Sequence, residues 1–263
     1  MPFLETNGIQ IYYERFGAGV PLLNISGTGN DLRTSRPDRS PLNRRFDVVH
    51  YDQRGMGQTS KPEVDYTMAD YANDAAGVIR AMGWDSAHVV GTSFGGMVAM
   101  HLAIRYPELV DGLVLNCTSP GGLLPSFPNH ELKKLDVEAR IEIQLGLYDN
   151  RWDPGADDPI PGLGKVYDWI IEHAREVKTG EDLAGEERQL AARAGHDVSR
   201  LLHHIESPTL VCAGEYDDVA PVVNSEALAA GIPEAQLQVF QGGHFFLIQD
   251  PAAWKTIIQF LNT

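Results

Sequence analysis

The sequence predicts an α/β protein: a parallel sheet covered on both faces by helices, with a helical insertion in the middle of the chain. Three observations predict it. Short apolar runs that end in turn residues, such as VPLLNIS and RFDVVHYD, have the pattern of strands buried on both faces. Segments with apolar residues at helical spacing, such as MADYANDAAGVIRAMG, alternate with them, and that alternation calls for parallel strands joined by crossovers. Between residues 119 and 206 the alternation stops and only helical patterns remain.

Taken in order, IQIYYERFG reads as an opening strand pair closed by Gly17 and Gly19. VPLLNIS and RFDVVHYD follow as strands that run into SGTGN and QRGMG. The helix MADYANDAAGVIRAMG stops at Gly83. AHVVG is a strand, FGGMVAMHLAIRYP a helix ended by Pro107, and VDGLVLNC the next strand. The insertion opens with the loop SPGGLLPSFPNH. It continues as helices in HELKKLDVEARIEIQLGL, GKVYDWIIEHAREVK and EDLAGEERQLAARAG, with the loop WDPGADDPIPGLG between the first two. SPTLVCAGEYD and LQVFQGGHF restore the strand rhythm, and a last helix runs from about Asp250 to Asn262. Residues 1–118 and 207–263 are thus expected to form one core, and 119–206 a helical cap or lid.

The formal net charge of −15 argues against nucleic acid as a partner, because phosphate binding needs clustered Lys and Arg. It disfavours an anionic membrane surface for the same reason. No apolar run nears the roughly 20 residues that span a bilayer. MPFLETNGIQ lacks the basic-then-apolar pattern of a signal peptide, so a cytoplasmic location is expected. Cys117 and Cys212 each end an apolar run and are expected to be buried, reduced and inert.

The sharpest chemical signal is Gly91-Thr92-Ser93-Phe94-Gly95, between a strand and a helix. There a serine on a tight turn stands clear of the backbone, and glycines let strand and helix pass closely. Serine needs a base, and the base an orienting acid. His244 follows the strand LQVF in GGHFF, at the sheet edge where open α/β folds place their sites. The acid should end a strand between the two. VDGLVLN offers no carboxylate, whereas TLVCAG leads into Glu215, Asp217 and Asp218. Asp217 has the better spacing, with Asp218 and Glu215 as alternatives. Oxyanion donors are expected in the Phe94 N–H and in the loop Ser26-Gly27-Thr28-Gly29, with Thr28 preferred. No HExxH motif occurs, and no GxGxxG opens a helix after the first strand, so neither a metal nor a dinucleotide cofactor is expected.

With these motifs the chain resembles the α/β-hydrolase superfamily over nearly its whole length. GTSFGG, GEYD, GGHF and the turn DQRGMGQTS carry the resemblance, as does the chain order Ser, Asp, His. The resemblance implies an eight-stranded, mostly parallel sheet with a cap after the sixth strand, and an architectural role for Asp52 and Arg54. Its third strand is commonly followed by His-Gly. Here Ser26-Gly27 stands instead, which leaves Gly27 and Thr28 both open as the second donor. Small esterases, enol-lactonases, cofactor-free haloperoxidase-like enzymes and C–C bond hydrolases share this plan. Serine at 93 argues against the dehalogenases and epoxide hydrolases of the fold, which use Asp there.

The leading expectation is a hydrolase of a small-molecule carboxylic ester or lactone, acting through an acyl-enzyme on Ser93. The alternatives are a C–C bond hydrolase of a diketone-type metabolite and a slow or non-catalytic ligand receptor. Phe127, Trp152 and Trp169 are the aromatic candidates for a substrate pocket. Arg33, Arg36 and Arg39 could hold an anionic substrate. Asp31 and Asp38 lie in the same loop, though, and residues 119–206 carry ten Lys and Arg against 17 Asp and Glu. A neutral substrate, with the arginines paired on the surface, is therefore expected.

Overall fold

In the computed structural model of the chain, which describes residues 2–176 and 178–262, the first two strands are β1 (Phe3–Thr6) and β2 (Ile9–Gly17). They form an antiparallel hairpin turned by Asn7 and Gly8, at φ 49° and 72°. An Asn-Gly turn matches the twist of the flanking strands. The strand pair expected within IQIYYERFG is therefore one nine-residue strand, and its partner lies upstream.

Strands β3 (Val20–Ile25), β4 (Phe46–Tyr51), β5 (Ala87–Thr92), β6 (Val110–Asn116), β7 (Thr209–Gly214) and β8 (Gln236–Phe240) complete an eight-stranded sheet. Its order is β1-β2-β4-β3-β5-β6-β7-β8. β2 pairs with β4 antiparallel, and every pair from β4 to β8 is parallel. Helix α1 (Met68–Ala81) starts on a reciprocal cap between Thr67 and Asp70, and α2 (Phe94–Arg105) follows β5. Between β6 and β7 lie α3 (Val137–Tyr148), α4 (Lys165–Arg175) and α5 (Gly180–Ala194). The chain ends with α6 (Val222–Gly231), α7 (Phe246–Gln249) and α8 (Ala252–Leu261).

Side chains alternate across the sheet, as a two-residue period requires. On β6, Leu113 and Leu115 join the cluster formed with α1 and α2, while Val114 joins the opposite cluster with Ile257 and Leu261 of α8. Both faces are covered, which is why these strands read as continuous apolar runs.

Among the described residues the segment between β6 and β7 forms no strand. Its first expected helix is divided: Asn129–Lys134 is a 3-10 turn, and α3 begins only where the Asp136 side chain accepts the Ala139 N–H at 3.0 Å. Ile141, Leu145, Ile160, Leu163 and Ile170 give α3 and α4 a small core of their own. Helix α5 packs directly on the main body. Gly185 meets Gly55 so closely that a Cβ on Gly185 would strike the Gly55 carbonyl, and one on Gly55 would strike the Tyr66 ring. Asp182 pairs with Arg33 at 3.1 Å and Lys61 at 3.3 Å.

Candidate active site

Only Ser93 separates β5 from α2, so it must turn the chain alone. Its backbone sits at φ 56°, ψ −117°, a region that costs a residue with a side chain about 1–3 kcal/mol. Neighbours hold it there. Its N–H donates to the Asn116 carbonyl at 2.9 Å, and its carbonyl accepts from the Thr118 hydroxyl at 2.8 Å. A Cβ on Gly91 would strike the Gly95 carbonyl, and one on Gly95 the Ile25 carbonyl. Those two glycines are thus required by close approach.

His244, in the loop after β8, lies with Nε2 3.1 Å from Ser93 Oγ and Nδ1 2.7 Å from Asp217 Oδ2. An ionised carboxylate can only accept, so Nδ1 carries the proton and Nε2 is free to accept from the serine hydroxyl. Asp217, in the turn after β7, is buried. Its other oxygen accepts the Val219 and Ala220 N–H groups at 2.8 and 2.9 Å. Both carboxylate oxygens are therefore engaged, one fixing the turn and one the imidazole. The two alternatives are exposed and tied elsewhere, Asp218 to the Asn150 amide and Glu215 to Gln241. The structure brings Ser93, His244 and Asp217 together from the ends of three parallel strands.

Phe94 is the first residue of α2, and its N–H has no partner within the helix. The loop after β3 lies beside it: a Cβ on Gly27 would sit 3.5 Å from the Ser93 Cβ. Gly29 is unavailable as a donor, because its N–H is held by Gln189 Oε1 at 2.8 Å. Gly27 and Thr28 remain as the candidates for the second N–H.

Two neighbours escaped sequence reasoning. Tyr148, the last residue of α3, accepts the His244 N–H through its carbonyl at 2.6 Å and lays its ring beside the imidazole. Nothing in the sequence around it marks that role. Cys117, just past β6, donates its thiol to the His244 carbonyl at 3.6 Å. Burial and the nearby Asp217 push that thiol well up, so it stays protonated. Its sulfur and the Asp217 and His244 ligand atoms lie within 4.8 Å of one another. A thiophilic ion could hold that set only by breaking the Asp217–His244 hydrogen bond.

The aromatic residues expected to line a pocket are placed as follows. Trp169 is 37% exposed and stacks on His173, because Ile170 is the α4 residue turned inward. Trp152 packs against the α3–α4 core and donates to the Tyr167 hydroxyl at 3.3 Å. Phe127 ties the segment after β6 to the acid turn, its N–H donating to the Val219 carbonyl at 2.8 Å. Arg33 and Arg36 pair with Asp31 and Asp38, as the acidic loop suggests, and Arg39 is exposed.

A sequence model of the family described as α/β hydrolase fold matches residues 21–142. A poly(3-hydroxyalkanoate) depolymerase from Ectopseudomonas oleovorans is 31% identical over 246 residues, which is 91% of this chain and 83% of that protein. Among solved structures, the enol-lactonase from Burkholderia xenovorans LB400 superposes with a TM-score of 0.81 at 22% identity, covering 100% of both chains. An N-acyl homoserine lactone degrading enzyme superposes with a TM-score of 0.78 at 25% identity, over 98% of this chain and 99% of that one.

Proposed function

The chain belongs to the α/β-hydrolase family and is a hydrolase of that fold, and from this premise we propose that it cleaves a small-molecule carboxylic ester or lactone through an acyl-enzyme on Ser93. The observation that carries the reading is the unbroken hydrogen-bond chain from Ser93 Oγ through His244 to the buried Asp217. The relative from Ectopseudomonas oleovorans is named for a polymer joined by ester bonds, and the structural neighbour at 25% identity for degrading a lactone, a cyclic ester.

In this mechanism Ser93 Oγ attacks the carbonyl carbon while its proton passes to His244 Nε2. Asp217 stabilises the resulting imidazolium and keeps its tautomer. The oxyanion meets the Phe94 N–H and an N–H of Gly27 or Thr28, each such donor contributing about 100- to 1000-fold in rate. Collapse expels the alcohol, which takes the proton from His244. Water, activated by the same imidazole, then attacks the acyl-enzyme and frees Ser93. In a lactone the leaving alcohol stays attached to the acid produced. Residues 119–206 would act as a cap over this centre, with α5 as its inner wall.

The test is labelling by a fluorophosphonate probe, followed by turnover across esters, lactones and diketones. Stoichiometric labelling at Ser93 with ester or lactone turnover is the expected result. Labelling without turnover of any of these would favour a receptor, and turnover confined to diketones a C–C hydrolase.

A further inference from the structure

Two buried arginines make an instructive pair. Arg54 and Arg193 are each 6% exposed. Arg54 has the Asp74 carboxylate on it, at 2.8 and 2.9 Å. Arg193, near the end of α5, has no carboxylate partner among the described residues. Its Nη2 donates to the Ser126 hydroxyl at 2.7 Å and the Phe127 carbonyl at 2.9 Å. Its Nε–H is enclosed and has no acceptor among the described residues. A buried guanidinium left without a counter-charge is rare, because removing a cation from water is costly unless an anion compensates. Burial pushes it down to about 10, so it remains cationic at neutral pH.

A second enclosed donor lies one helical turn away on the same helix. Gln189 is 0% exposed. Its Oε1 must face the Gly29 N–H, which can only donate, and that leaves the Nε2 amide without an acceptor. Residues four apart share a helix face, so the two side chains leave α5 on the same side. That face is tied to two segments that border the site. Gln189 touches the loop whose Gly27 packs on Ser93, and Arg193 holds the segment of Phe127 that binds the acid turn at Val219.

We propose that Arg193, with Gln189 beside it, is the anchor for a carboxylate carried by the substrate, so that the bond cleaved at Ser93 belongs to an anionic ester or lactone. This rests on the ester-hydrolase reading above and narrows it. Arginine suits the role through its planar, permanently charged donors. The inference reverses the neutral substrate expected from charge balance, which weighs surface carboxylates that salt screens over about 8 Å and not an enclosed cation.

The test compares phenyl butyrate with the monophenyl esters of succinic, glutaric and adipic acids, which carry a free carboxylate at three reaches. Binding of the free dicarboxylates to the Ser93→Ala protein is measured by calorimetry in parallel. One of the anionic esters is expected to exceed the neutral one in kcat/KM. Arg193→Gln should lower that ratio by about 30-fold, chiefly through KM, and abolish dicarboxylate binding. Arg193→Lys should restore part of both. Ser126→Ala removes one tie to the loop and keeps the guanidinium, so it should leave the ratio within about twofold.

An equal loss for both substrate classes in Arg193→Gln, or a Ser126→Ala ratio that falls as far, would reduce Arg193 to a structural tie and overturn the proposal. So would turnover of the neutral ester alone with no dicarboxylate bound. If no ester is cleaved but a dicarboxylate binds and is lost in Arg193→Gln, the anchor stands and the hydrolytic reading falls.

Discussion

The ring of Tyr148 lies almost parallel to the imidazole of His244, centroids 5.9 Å apart and planes 17° apart, and its backbone carbonyl holds the His244 N–H at 2.6 Å. The end of α3 therefore fixes both the main chain and the ring of the base. Replacing the ring should disturb the base, while removing the hydroxyl alone should not. Tyr148→Phe is expected to retain activity. Tyr148→Ala should lower kcat about tenfold, through loss of imidazole orientation, and cost about 3 kcal/mol of stability as a large-to-small change. Parallel measurement of kcat and Tm separates the two effects, and an unchanged kcat in Tyr148→Ala would restrict the ring to packing.

Ser93→Ala and His244→Ala should each cut kcat by on the order of 10⁴-fold or more without unfolding the protein. In the proposed relay the groups act as one unit, so the double variant should be little worse than either single one. Steady-state kinetics on one ester, with circular dichroism as the folding control, makes the comparison. Losses that multiply would show independent roles.

Asp217→Asn should cost on the order of 10⁴-fold, since the amide cannot stabilise an imidazolium and can impose the wrong tautomer. Asp218→Asn should change little, because the Asp218 side chain is exposed and its hydrogen bond is to the Asn150 amide. The same kinetic assay on both variants decides, and a larger loss in Asp218→Asn would move the acid by one position.

Three histidines make stability depend on acid. Burial lowers His50, His101 and His196 from 6.5 to about 4, so each is neutral in the folded protein through that interval. In the unfolded chain they protonate below about 6.5. The unfolded state therefore takes up more protons, and stability should fall as pH drops from 6.5 to 4, by roughly 3 kcal/mol per buried histidine at most. His101 Nε2 and His196 Nδ1 are 3.2 Å apart, so these two titrate as a pair. Denaturant melts across that interval should show a shallower slope for His196→Gln than for the wild type. An identical slope would remove the pair as the cause.

The core of the fold was legible because most of its strands run into glycine-bearing turns, several of which close packing demands. Gly91 and Gly95 mark the turn at Ser93, and β7 and β8 stop three and four residues before Asp217 and His244. The hairpin from Phe3 was missed because four residues carry little period-two signal, although Asn7-Gly8 was a usable sign. The trio of Ser93, Asp217 and His244 could be read from strand ends and chain order. Arg193 and Gln189 could not be read so directly, since Gln and Arg on a helix are ordinary surface residues. A signal was present even so. They fall on one stripe with Gly185 and Ala192, and small residues at that spacing mark the face that packs inward. On α4 the large aromatic ring of Trp169 is 37% exposed, one position away from the buried Ile170.

The two hydrogen bonds to Gly29 have a consequence for recombination. Gln189 Oε1 accepts its N–H, and Lys178 Nζ donates to its carbonyl at 3.2 Å. Both partners lie in the segment between β6 and β7, while Gly29 belongs to the loop beside Ser93. That segment is therefore not a free-standing module that can be exchanged between relatives to transplant selectivity. A chimaera that imports residues 119–206 also imports the side chains that hold the glycine loop beside Ser93. Matching residues at 178 and 189 to the recipient's glycine loop becomes the compatibility rule for any such graft.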